Sequence, residues 1–371
     1  MEEKRLKLNS VGFIGLGLIG GSIAKALLEA NPSLHIYGHA SHKETLEQAY
    51  KEGVILNNDF LPLEDFGSLD IIFLCSPVKI NIEYLKELKP YLKDTCMITD
   101  VGSVKGDIHH AVNELGLNNQ FIGGHPMTGS EKIGFNNASS ALLENAYYIV
   151  TTDESTDMKK VDEFSSLIKE MKAIPLVLSY EEHDFATAAI SHFPHIMSAA
   201  LVNLVKTNET KDQTLKTIAA GGFKDITRIS SSSPIMWQNI CLENKDEILN
   251  LINLYHIQLD AFEQAVSSSD EEKLLELFSE AKDYRDSLPL KKTGVLPVTF
   301  ELYCDLKDET GVIAKIATLL AKHEINLKNI GIVNNREFEA GVLRIEVESQ
   351  DALEQTKTVL TQNGYTIHTI A

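Results

Sequence analysis

Short apolar runs alternate with longer amphipathic stretches along the first half of the chain. The runs have the length of buried β-strands and are bounded by glycine, proline or polar residues, whereas the stretches between them carry apolar residues at helical spacing. This alternation predicts an α/β fold over residues 1–178, with parallel strands in a doubly wound sheet. The predicted strands span residues 11–14, 34–38, 70–75, 96–100, 119–122, 146–151 and 174–178.

From about residue 180 the apolar positions follow helical spacing without intervening strands, which predicts an all-helical second domain over residues 179–290. One long helix is expected over residues 181–205, and two more over 245–266 and 270–287. The helix 245–266 carries a broad apolar stripe made of Leu249, Ile252, Tyr255, Leu259 and Phe262. This stripe favours a homodimer formed through the helical domain, with burial against the chain's own sheet as the alternative.

Residues 288–297 combine proline, glycine and charge without a period, which is typical of a linker. The chain then follows the order strand-helix-strand-strand-helix-strand over residues 298–371, which predicts a small ferredoxin-like α+β domain. Its expected elements span residues 298–305, 312–323, 326–334, 341–348, 352–363 and 365–370. Since no cluster of Ser, His and Asp suited to catalysis occurs there, we expect a regulatory ligand-binding or dimerising module.

The composition limits the classes of partner. A chain of 371 residues is too long for one ordinary core, and its 43% hydrophobic and 23% charged residues are typical of globular proteins. The net charge of −19 argues against a nucleic-acid partner, because phosphate binding needs clustered cations. A small anionic substrate would instead need a local cationic pocket.

The cysteines and the N-terminus carry little information about chemistry. Cys75, Cys96, Cys241 and Cys304 are far apart and form no Cys-x-x-Cys pair, so neither a zinc site nor a disulfide framework is predicted. Residues 1–10 alternate in charge and lack the apolar core of a signal peptide. Because no apolar run approaches the length of a membrane span, we expect a cytoplasmic protein without membrane contact.

A glycine-rich turn follows the first predicted strand. Gly15, Gly17 and Gly20 match G-x-G-x-x-G between a strand and a helix. In dinucleotide-binding domains the first glycine permits a tight turn, the second lets the backbone approach a pyrophosphate, and the third lets helix and strand pack closely. We therefore expect this loop, with Leu18 and Ile19, to bind a dinucleotide; a plain tight turn is the less favoured alternative.

The residue after the second strand affects the choice of cofactor. NAD-binding domains usually have an acidic residue there, which binds the ribose hydroxyls. Here the position is His39, and a cationic cluster formed with Ser41, His42 and Lys43 could accept the additional phosphate of NADP. The residues alone leave NAD and NADP open. The cofactor-binding edge is expected to include Ser76 and Pro77, which follow the third predicted strand.

His125 is the strongest candidate for chemistry. The strand 119–122 is expected to stop at Gly123 and Gly124, which would leave His125 at the sheet edge where ligands of open α/β sheets bind. A neutral imidazole there can accept a proton near pH 7. The alternative is a histidine that only caps a loop. Ser103 follows the fourth strand and would lie at the same edge, with a helix N-cap as its alternative role.

The predicted helical domain adds two histidines and two cations. His192 and His195 lie three residues apart and hence on one helix face, and Pro194 should kink that helix. A substrate-facing pair is favoured over structural histidines, and a metal site is disfavoured because no further ligand stands at a standard interval. Lys224 and Arg228 share a helical face. Arg suits bidentate binding of a carboxylate, and a solvated ion pair with Asp225 or a nearby Glu is the alternative.

Five segments together resemble the prephenate dehydrogenase family, including a C-terminal ACT domain. They are residues 15–22, 100–103, 123–134, 191–195 and 222–228, and the resemblance extends over essentially the whole chain. It implies oxidative decarboxylation of prephenate to 4-hydroxyphenylpyruvate, with hydride transfer to a nicotinamide cofactor, on the way to tyrosine. By family habit that cofactor is NAD.

The resemblance also implies roles for individual residues. His125 matches the general base, Ser103 matches the serine that orients it, and Arg228 matches the arginine that holds a substrate carboxylate. The implied catalytic set is His125, Ser103 and His195. The substrate-binding candidates are Arg228, His192, Lys224, Glu131 and Trp237. The resemblance implies that Glu131 matches an acidic residue whose contact with the arginine gates the pocket, whereas Trp237, the only tryptophan, is expected either in the core or as a pocket wall.

Three positions depart from the family pattern. Lys224 stands where the family often has arginine, and His39 stands where NAD users often have an acid. In the third domain, residues 308–313 resemble the ligand loop of ACT domains, but Thr310 replaces the usual proline. Tyrosine is the expected effector, and a loop that only mediates assembly is the alternative. The expected regulatory residues are Asp308, Gly311, Val312 and Asn326.

Two other functions remain as alternatives. Arogenate dehydrogenase is the closest, because its substrate differs only in having an amine in place of the keto group. A non-catalytic sensor of dinucleotide and amino acid would explain the first and third domains, but not the convergence of His125, Ser103, His192, His195 and Arg228. A 3-hydroxyacid dehydrogenase or an imine reductase is less favoured, since neither needs the Gly-Gly-His-Pro segment.

Overall fold

The computed structural model describes residues 8–129, 132–288, 300–306, 310–333 and 342–368. Contacts within the chain divide it into an N-terminal unit, residues 1–290, and a C-terminal unit, residues 291–371. The strands of the N-terminal unit are β1 Ser10–Ile14, β2 His35–His39, β3 Ile71–Leu74, β4 Met97–Asp100, β5 Phe121–Pro126, β6 Tyr147–Thr152 and β7 Ile174–Ser179.

The helices of the N-terminal unit connect these strands and then continue without further strands. They are α1 Leu18–Ala30, α2 Lys43–Lys51, α3 Leu63–Phe66, α4 Val78–Leu88, α5 Gly106–Leu115, α6 Met158–Glu170, α7 Tyr180–Thr187, α8 Phe193–Thr207, α9 Thr214–Ile218, α10 Gly221–Thr227, α11 Pro234–Glu243, α12 Lys245–Ser267 and α13 Glu271–Ser287.

The seven strands form one sheet in the order β2-β1-β3-β4-β5-β6-β7. The first five strands are parallel, and successive residues of the central strands enter opposite cores. On β1, Phe13 packs into one core, where it stacks on Phe73 with ring centroids 5.0 Å apart, and Ile14 packs into the other. Burial on both faces explains why these strands are continuously apolar. The expected doubly wound α/β class is confirmed.

One junction of the sheet differs from the all-parallel expectation. β5 continues through Gly123 and Gly124 to Pro126, and this extension pairs antiparallel with β6. A Cβ at Gly123 would clash with Thr151, and a Cβ at Gly124 would lie 2.7 Å from a backbone oxygen of β4. The glycines therefore allow close strand packing and do not end the strand, so the expected stop at Gly123 is wrong.

The glycine-rich loop has the expected setting between β1 and α1. Gly15 has a φ of +102°, a conformation that L side chains rarely adopt. A Cβ at Gly17 would meet no atom within 4 Å, whereas one at Gly20 would clash with the carbonyl oxygen of Gly15. The three glycines thus provide the turn, an open backbone surface and tight helix–strand packing, respectively.

The long helix expected over residues 181–205 is a continuous stretch of three parts. α7 passes into a π-helical turn, Ala188–His192, which is followed by α8. Pro194 is close to the start of α8, and a π turn relieves the clash that a proline ring makes with a preceding carbonyl. The sequence pattern predicted a kink here, and the structure has a wider helical turn.

This stretch, residues 180–207, is long and apolar enough to cross a membrane by length and composition alone. The expectation that no apolar run approaches that length is therefore wrong. However, His183 and His192 on this stretch are buried and hydrogen-bonded to His125 and Asn244. These contacts tie the stretch to β5 and to α12, and its length and composition alone are weak evidence for a membrane span.

The later helices pack mainly on one another. The main neighbours of α12 are helices α8, α11 and α13 and the π turn, rather than the sheet. Much of its apolar side chain surface is exposed in the single chain, including Leu249, Leu254, Ile257 and Leu259. The alternative in which this stripe covers the chain's own sheet is thus not what the structure shows.

The C-terminal unit has the expected order of elements. They are β8 Phe300–Asp305, α14 Val312–Lys322, β9 Leu327–Val333, β10 Val342–Val347, α15 Gln350–Gln362 and β11 Ile367–His368. The strands pair antiparallel in the order β11-β8-β10-β9. One face of the sheet and both helices bury a core that includes Leu302, Leu320, Ile345 and Leu360. The expected ferredoxin-like α+β domain is confirmed.

The contrast between Gly20 and Gly17 gives a test of this packing. Gly20→Ala gains up to about 1 kcal/mol in helix propensity, but the added Cβ clashes with the Gly15 carbonyl, and overpacking typically costs about 1–3 kcal/mol. We expect a lower melting temperature for the N-terminal unit, measured by thermal denaturation of the full chain. Gly17→Ala is the matched control, for which the loss should stay below about 1 kcal/mol. Equal melting temperatures for Gly20→Ala and the unaltered chain would contradict the packing role.

Candidate active site

The carboxyl ends of β1, β3, β4 and β5 meet at one edge of the sheet. Gly15 follows β1, and the Ser76 hydroxyl after β3 lies 3.0 Å from where a Cβ of Gly15 would stand. The turn at Ser76 and Pro77 is shaped by Asn81, whose buried amide accepts from the Ser76 N–H at 3.1 Å and donates to the Ser76 carbonyl at 2.8 Å. This is the ligand-binding edge of a parallel α/β sheet.

His125 lies at this edge on the antiparallel extension of β5. Its ring is partly buried, and Nδ1 lies 2.8 Å from Nε2 of His183 on α7. Desolvation, followed by the nearby charges of His183, Lys105 and His192, lowers the pKa of His125 well below 6.5. The imidazole is therefore unprotonated at neutral pH, which is the form that can accept a proton.

His183 is in turn held by its neighbour Asp184. Nδ1 of His183 lies 2.7 Å from Oδ1 of Asp184. The two oxygens of Asp184 also accept the backbone N–H groups of Lys105 and Gly106, each at 2.8 Å. Asp184 thus occupies the N-terminus of α5, where unpaired N–H groups and the helix dipole favour an anion.

A fully buried ion pair lies beneath these residues. Lys105 Nζ donates to the carboxylate of Asp100 and, at 2.8 Å, to the carbonyl of Gly124. Asp100 also accepts the Gly102 N–H at 2.9 Å. The pair fixes the loop after β4 against the strand that carries His125, and removing one partner of such a buried pair costs about 3–5 kcal/mol.

His192 and His195 have different surroundings. His192 is 2% exposed, and its Nδ1 lies 3.1 Å from the Nδ2 of Asn244. Burial lowers the pKa of His192 to about 4. His195 stacks on Trp237 with ring centroids 3.7 Å apart, and both line a cavity of about 490 Å³. The pair therefore does not present both rings to one cavity: His192 is enclosed near His125, and His195 faces open space.

The predicted cations and Ser103 are available for binding. Lys224 and Arg228 are exposed, and within the described residues neither forms an ion pair, so the expected alternative of a pair with Asp225 is absent there. Ser103 does not cap α5, because Asp184 takes the N–H groups at that helix start. Glu131 lies outside the described residues.

The position after β2 is less cationic than its sequence implied. The ring of His39 lies edge-on to Tyr84, its Nε2 is 3.2 Å from the Tyr84 hydroxyl, and desolvation lowers its pKa. Lys43 is paired with Asp59 at 2.6 Å. Nδ1 of His39 is buried, and no described group hydrogen-bonds to it. The glycine loop and this unpaired nitrogen together fit the pyrophosphate and ribose of a dinucleotide.

In the described part of the chain, no group of three His, Cys, Asp or Glu residues is arranged to hold a metal ion.

Sequence reasoning missed His183, Asp184, Lys105 and Asn244. His183 and Asp184 follow two glutamates at the start of a helix, a pattern typical of a solvated first turn. A signal for Lys105 was present: Asp100 ends an otherwise apolar buried strand, and a buried carboxylate needs a partner. Lys105, five residues later, is the nearest cation along the chain.

Comparison with known proteins identifies the family of the domains. Residues 23–176 match the family model described as the nucleotide-binding domain of prephenate dehydrogenase, and residues 179–280 match its dimerization domain. Residues 302–367 match an ACT domain of the AHAS small-subunit type. The chain is 41% identical to a prephenate dehydrogenase of Bacillus subtilis over 339 residues, which are 91% of each chain.

Solved structures give the same result. The crystal structure of prephenate dehydrogenase from A. aeolicus, in complex with hydroxyphenyl propionate and NAD+, matches with a TM-score of 0.70 and 33% identity, covering 76% of this chain and 99% of that one. The structure of Synechocystis arogenate dehydrogenase matches with a TM-score of 0.69 and 29% identity, covering 75% and 99%. The chain therefore belongs to the prephenate dehydrogenase family and is a nicotinamide-dependent dehydrogenase.

Proposed function

We propose that this protein converts prephenate to 4-hydroxyphenylpyruvate and carbon dioxide with NAD as hydride acceptor, in tyrosine biosynthesis. The observation that carries the proposal is the position of His125. The neutral imidazole of His125 lies at the same sheet edge as the glycine loop. The chain is also similar to prephenate dehydrogenases. We also propose that the N-terminal unit consists of a dinucleotide-binding part, residues 1–178, and a helical substrate-binding and dimerisation part, residues 179–290.

The chemistry follows from one proton acceptor. Nε2 of His125 takes the proton of the ring hydroxyl while the hydride leaves the same carbon, which becomes a carbonyl. The bound nicotinamide supplies the hydride acceptor. The ring carboxylate then leaves as carbon dioxide, the electron pair of the broken bond makes the ring aromatic, and the resulting phenolate takes the proton back from His125. Atoms and charge balance without a further reactant.

The remaining candidates supply orientation and charge. Arg228 binds a substrate carboxylate, because its guanidinium is exposed and unpaired among the described residues and can bind bidentately. Lys224, which can make only point-charge contacts, adds positive potential. We assign the cavity that His195 and Trp237 line to the substrate. Ser103 orients the base and the cofactor, and Glu131 remains a proposed gate.

His125→Asn tests the general base. It should lower kcat by about two to four orders of magnitude, the range of general-base catalysis, without loss of NAD binding or helical circular dichroism. Absorbance of the reduced nicotinamide is followed with prephenate and with arogenate. Near-normal kcat in His125→Asn would contradict the assignment.

Arg228→Ala tests the carboxylate-binding cation in the same assay. It should mainly raise KM, because it removes binding shared by the ground and transition states. An unchanged KM in Arg228→Ala would contradict the assignment.

The same assay across pH checks the protonation state of the base. The sequence alone predicts an acid limb near the ordinary histidine pKa of about 6.5. Because the pKa of His125 is lowered, the imidazole becomes protonated only as the pH falls through that lower value. We therefore expect kcat/KM to stay level from pH 8 to about 6.5 and to fall at lower pH. A limb centred at or above 6.5 would count against a desolvated base.

We infer a preference for NAD over NADP from the residues after β2. A 2′-phosphate needs an uncommitted cation, but Lys43 is paired with Asp59 and the lowered pKa of His39 keeps its ring neutral. Ser41 and His42 are hydrogen-bonded to each other at 2.8 Å. The cationic cluster expected from the sequence is therefore largely neutralised.

Removal of the ion pair between Lys43 and Asp59 tests the preference for NAD over NADP. Fluorescence titration of the full chain should show at least about tenfold tighter binding of NAD than of NADP, which corresponds to about 1.4 kcal/mol. Asp59→Asn removes the partner of Lys43 and should therefore raise the affinity for NADP, which reduces the difference between the two affinities. Lys43→Ala should leave the affinity for NAD unchanged. Equal affinities of the unaltered chain for both cofactors would refute the inference.

The helical part and the C-terminal unit concern assembly and regulation. We propose a cytoplasmic homodimer formed through the exposed apolar faces of α12 and α13, in line with the dimerization-domain match.

For the C-terminal unit we propose tyrosine as effector. Gly311, with a φ of +83°, and Val312 begin α14, and Asn326 precedes β9. Asp308 lies outside the described residues.

Deletion of the C-terminal unit tests the effector. Tyrosine should inhibit the full chain, and a chain ending before Val298 should turn over prephenate without that response, because the effector site is gone while the N-terminal unit keeps its own core. Turnover is measured with increasing tyrosine. Equal inhibition of both chains would place tyrosine in the substrate cavity instead.

A further inference from the structure

We propose that His183 and Asp184 are positioning residues that fix the tautomer of His125 so that its Nε2 carries the lone pair. The proposal rests on the proposed function of His125 as general base. The chain of contacts is short: His125 Nδ1 to His183 Nε2 is 2.8 Å, and His183 Nδ1 to Asp184 Oδ1 is 2.7 Å.

Asp184 determines which atom donates in each of these hydrogen bonds. Both of its oxygens accept backbone N–H groups, from Lys105 at 2.8 Å and from Gly106 at 2.8 Å. Two backbone N–H groups at a helix start favour the ionised carboxylate, and that form can only accept hydrogen bonds. Nδ1 of His183 must therefore be the donor in its contact with Asp184.

That donor decides the next contact. Desolvation lowers the pKa of His183, so at neutral pH the ring carries one proton, on Nδ1. Its Nε2 is then an acceptor, and Nδ1 of His125 must donate to it. Because the ring of His125 is also neutral, its second nitrogen, Nε2, has no proton and is free to accept one.

The surrounding helices hold the three residues His125, His183 and Asp184 in this arrangement. His183 is fully buried, and the carbonyl of Asp184 accepts from Asn244 Nδ2 at 2.8 Å, which fixes the backbone of α7. The other charged or titratable groups that act on His125 are Lys105 and His192. Lys105 is committed to Asp100, and His192 to Asn244. Neither offers Nδ1 of His125 another acceptor.

Two substitutions at one position separate positioning from packing. His183→Gln places an amide near the former Nε2 and keeps an acceptor for His125, whereas His183→Asn places it near the former Nδ1 and keeps only the contact with Asp184. We expect His183→Asn to lower kcat by about 10²–10⁴-fold with KM for prephenate within about threefold, and His183→Gln to recover kcat to within about tenfold.

His109 provides the matched control. It is also a buried histidine: its Nε2 lies 2.9 Å from the Thr151 hydroxyl and its Nδ1 lies 4.0 Å from a carboxylate oxygen of Asp153, but it lies outside the proposed chain of contacts. His109→Asn should leave kcat within about threefold of the unaltered protein. Loss of kcat in both His183 variants to the same extent, or unchanged kcat in His183→Asn, would overturn the proposal.

A spectroscopic measurement tests the tautomer without turnover. In the full chain labelled with ¹⁵N-histidine, ring nitrogen shifts distinguish a protonated from an unprotonated nitrogen, and His125→Asn identifies the signals of His125. We expect a protonated Nδ1 and a bare Nε2 near pH 7.5, and loss of that single tautomer in His183→Asn. A protonated Nε2 would overturn the proposal. If neither prephenate nor arogenate is turned over, the proposed function fails, while this measurement still decides the tautomer.

Discussion

The site depends on one contact, between the carboxylate of Asp184 and the two backbone N–H groups that begin α5. It joins the first helix after the sheet to the loop after β4, across about 80 residues of chain. Because helix starts leave these N–H groups unpaired, the contact satisfies donors that would otherwise be buried without partners. Asn244 holds the same residue from the start of α12. Three separate parts of the chain are thereby fixed around His183.

Burial and charge act together to keep the base neutral. Lys105 is fully buried and its pKa is lowered by desolvation, but its contacts with Asp100 keep it paired. Its positive charge, in addition to desolvation, disfavours a second cation on His125. In a site of low dielectric constant such interactions are stronger than in water. After desolvation and the charge of His183, Lys105 therefore adds to the lowering of the pKa of His125.

The sequence predicts those features that depend on neighbours along the chain. The glycine loop, the buried strands and the βαββαβ order of the C-terminal unit follow from local spacing, and the structure has all three. The contact of His125 with His183 joins residues 58 positions apart, and that of Asp184 with Lys105 joins residues 79 apart. No local period encodes such pairs. The same reason explains the antiparallel β5–β6 junction, since the clashes that require its glycines come from other strands.

The proposed base and the proposed anion-binding cation are held very differently. His125 is fixed by a chain of hydrogen bonds within the folded unit, whereas Arg228 is exposed and unpaired among the described residues. Proton transfer requires a heavy-atom separation of about 3 Å, so a misplaced imidazole loses most of its effect. Attraction between a guanidinium and a carboxylate falls off only as the inverse of distance. The buried hydrogen bonds of the fold therefore hold His125, whose position must be accurate. The side chain of Arg228, which acts over longer distances, is not held by such contacts among the described residues.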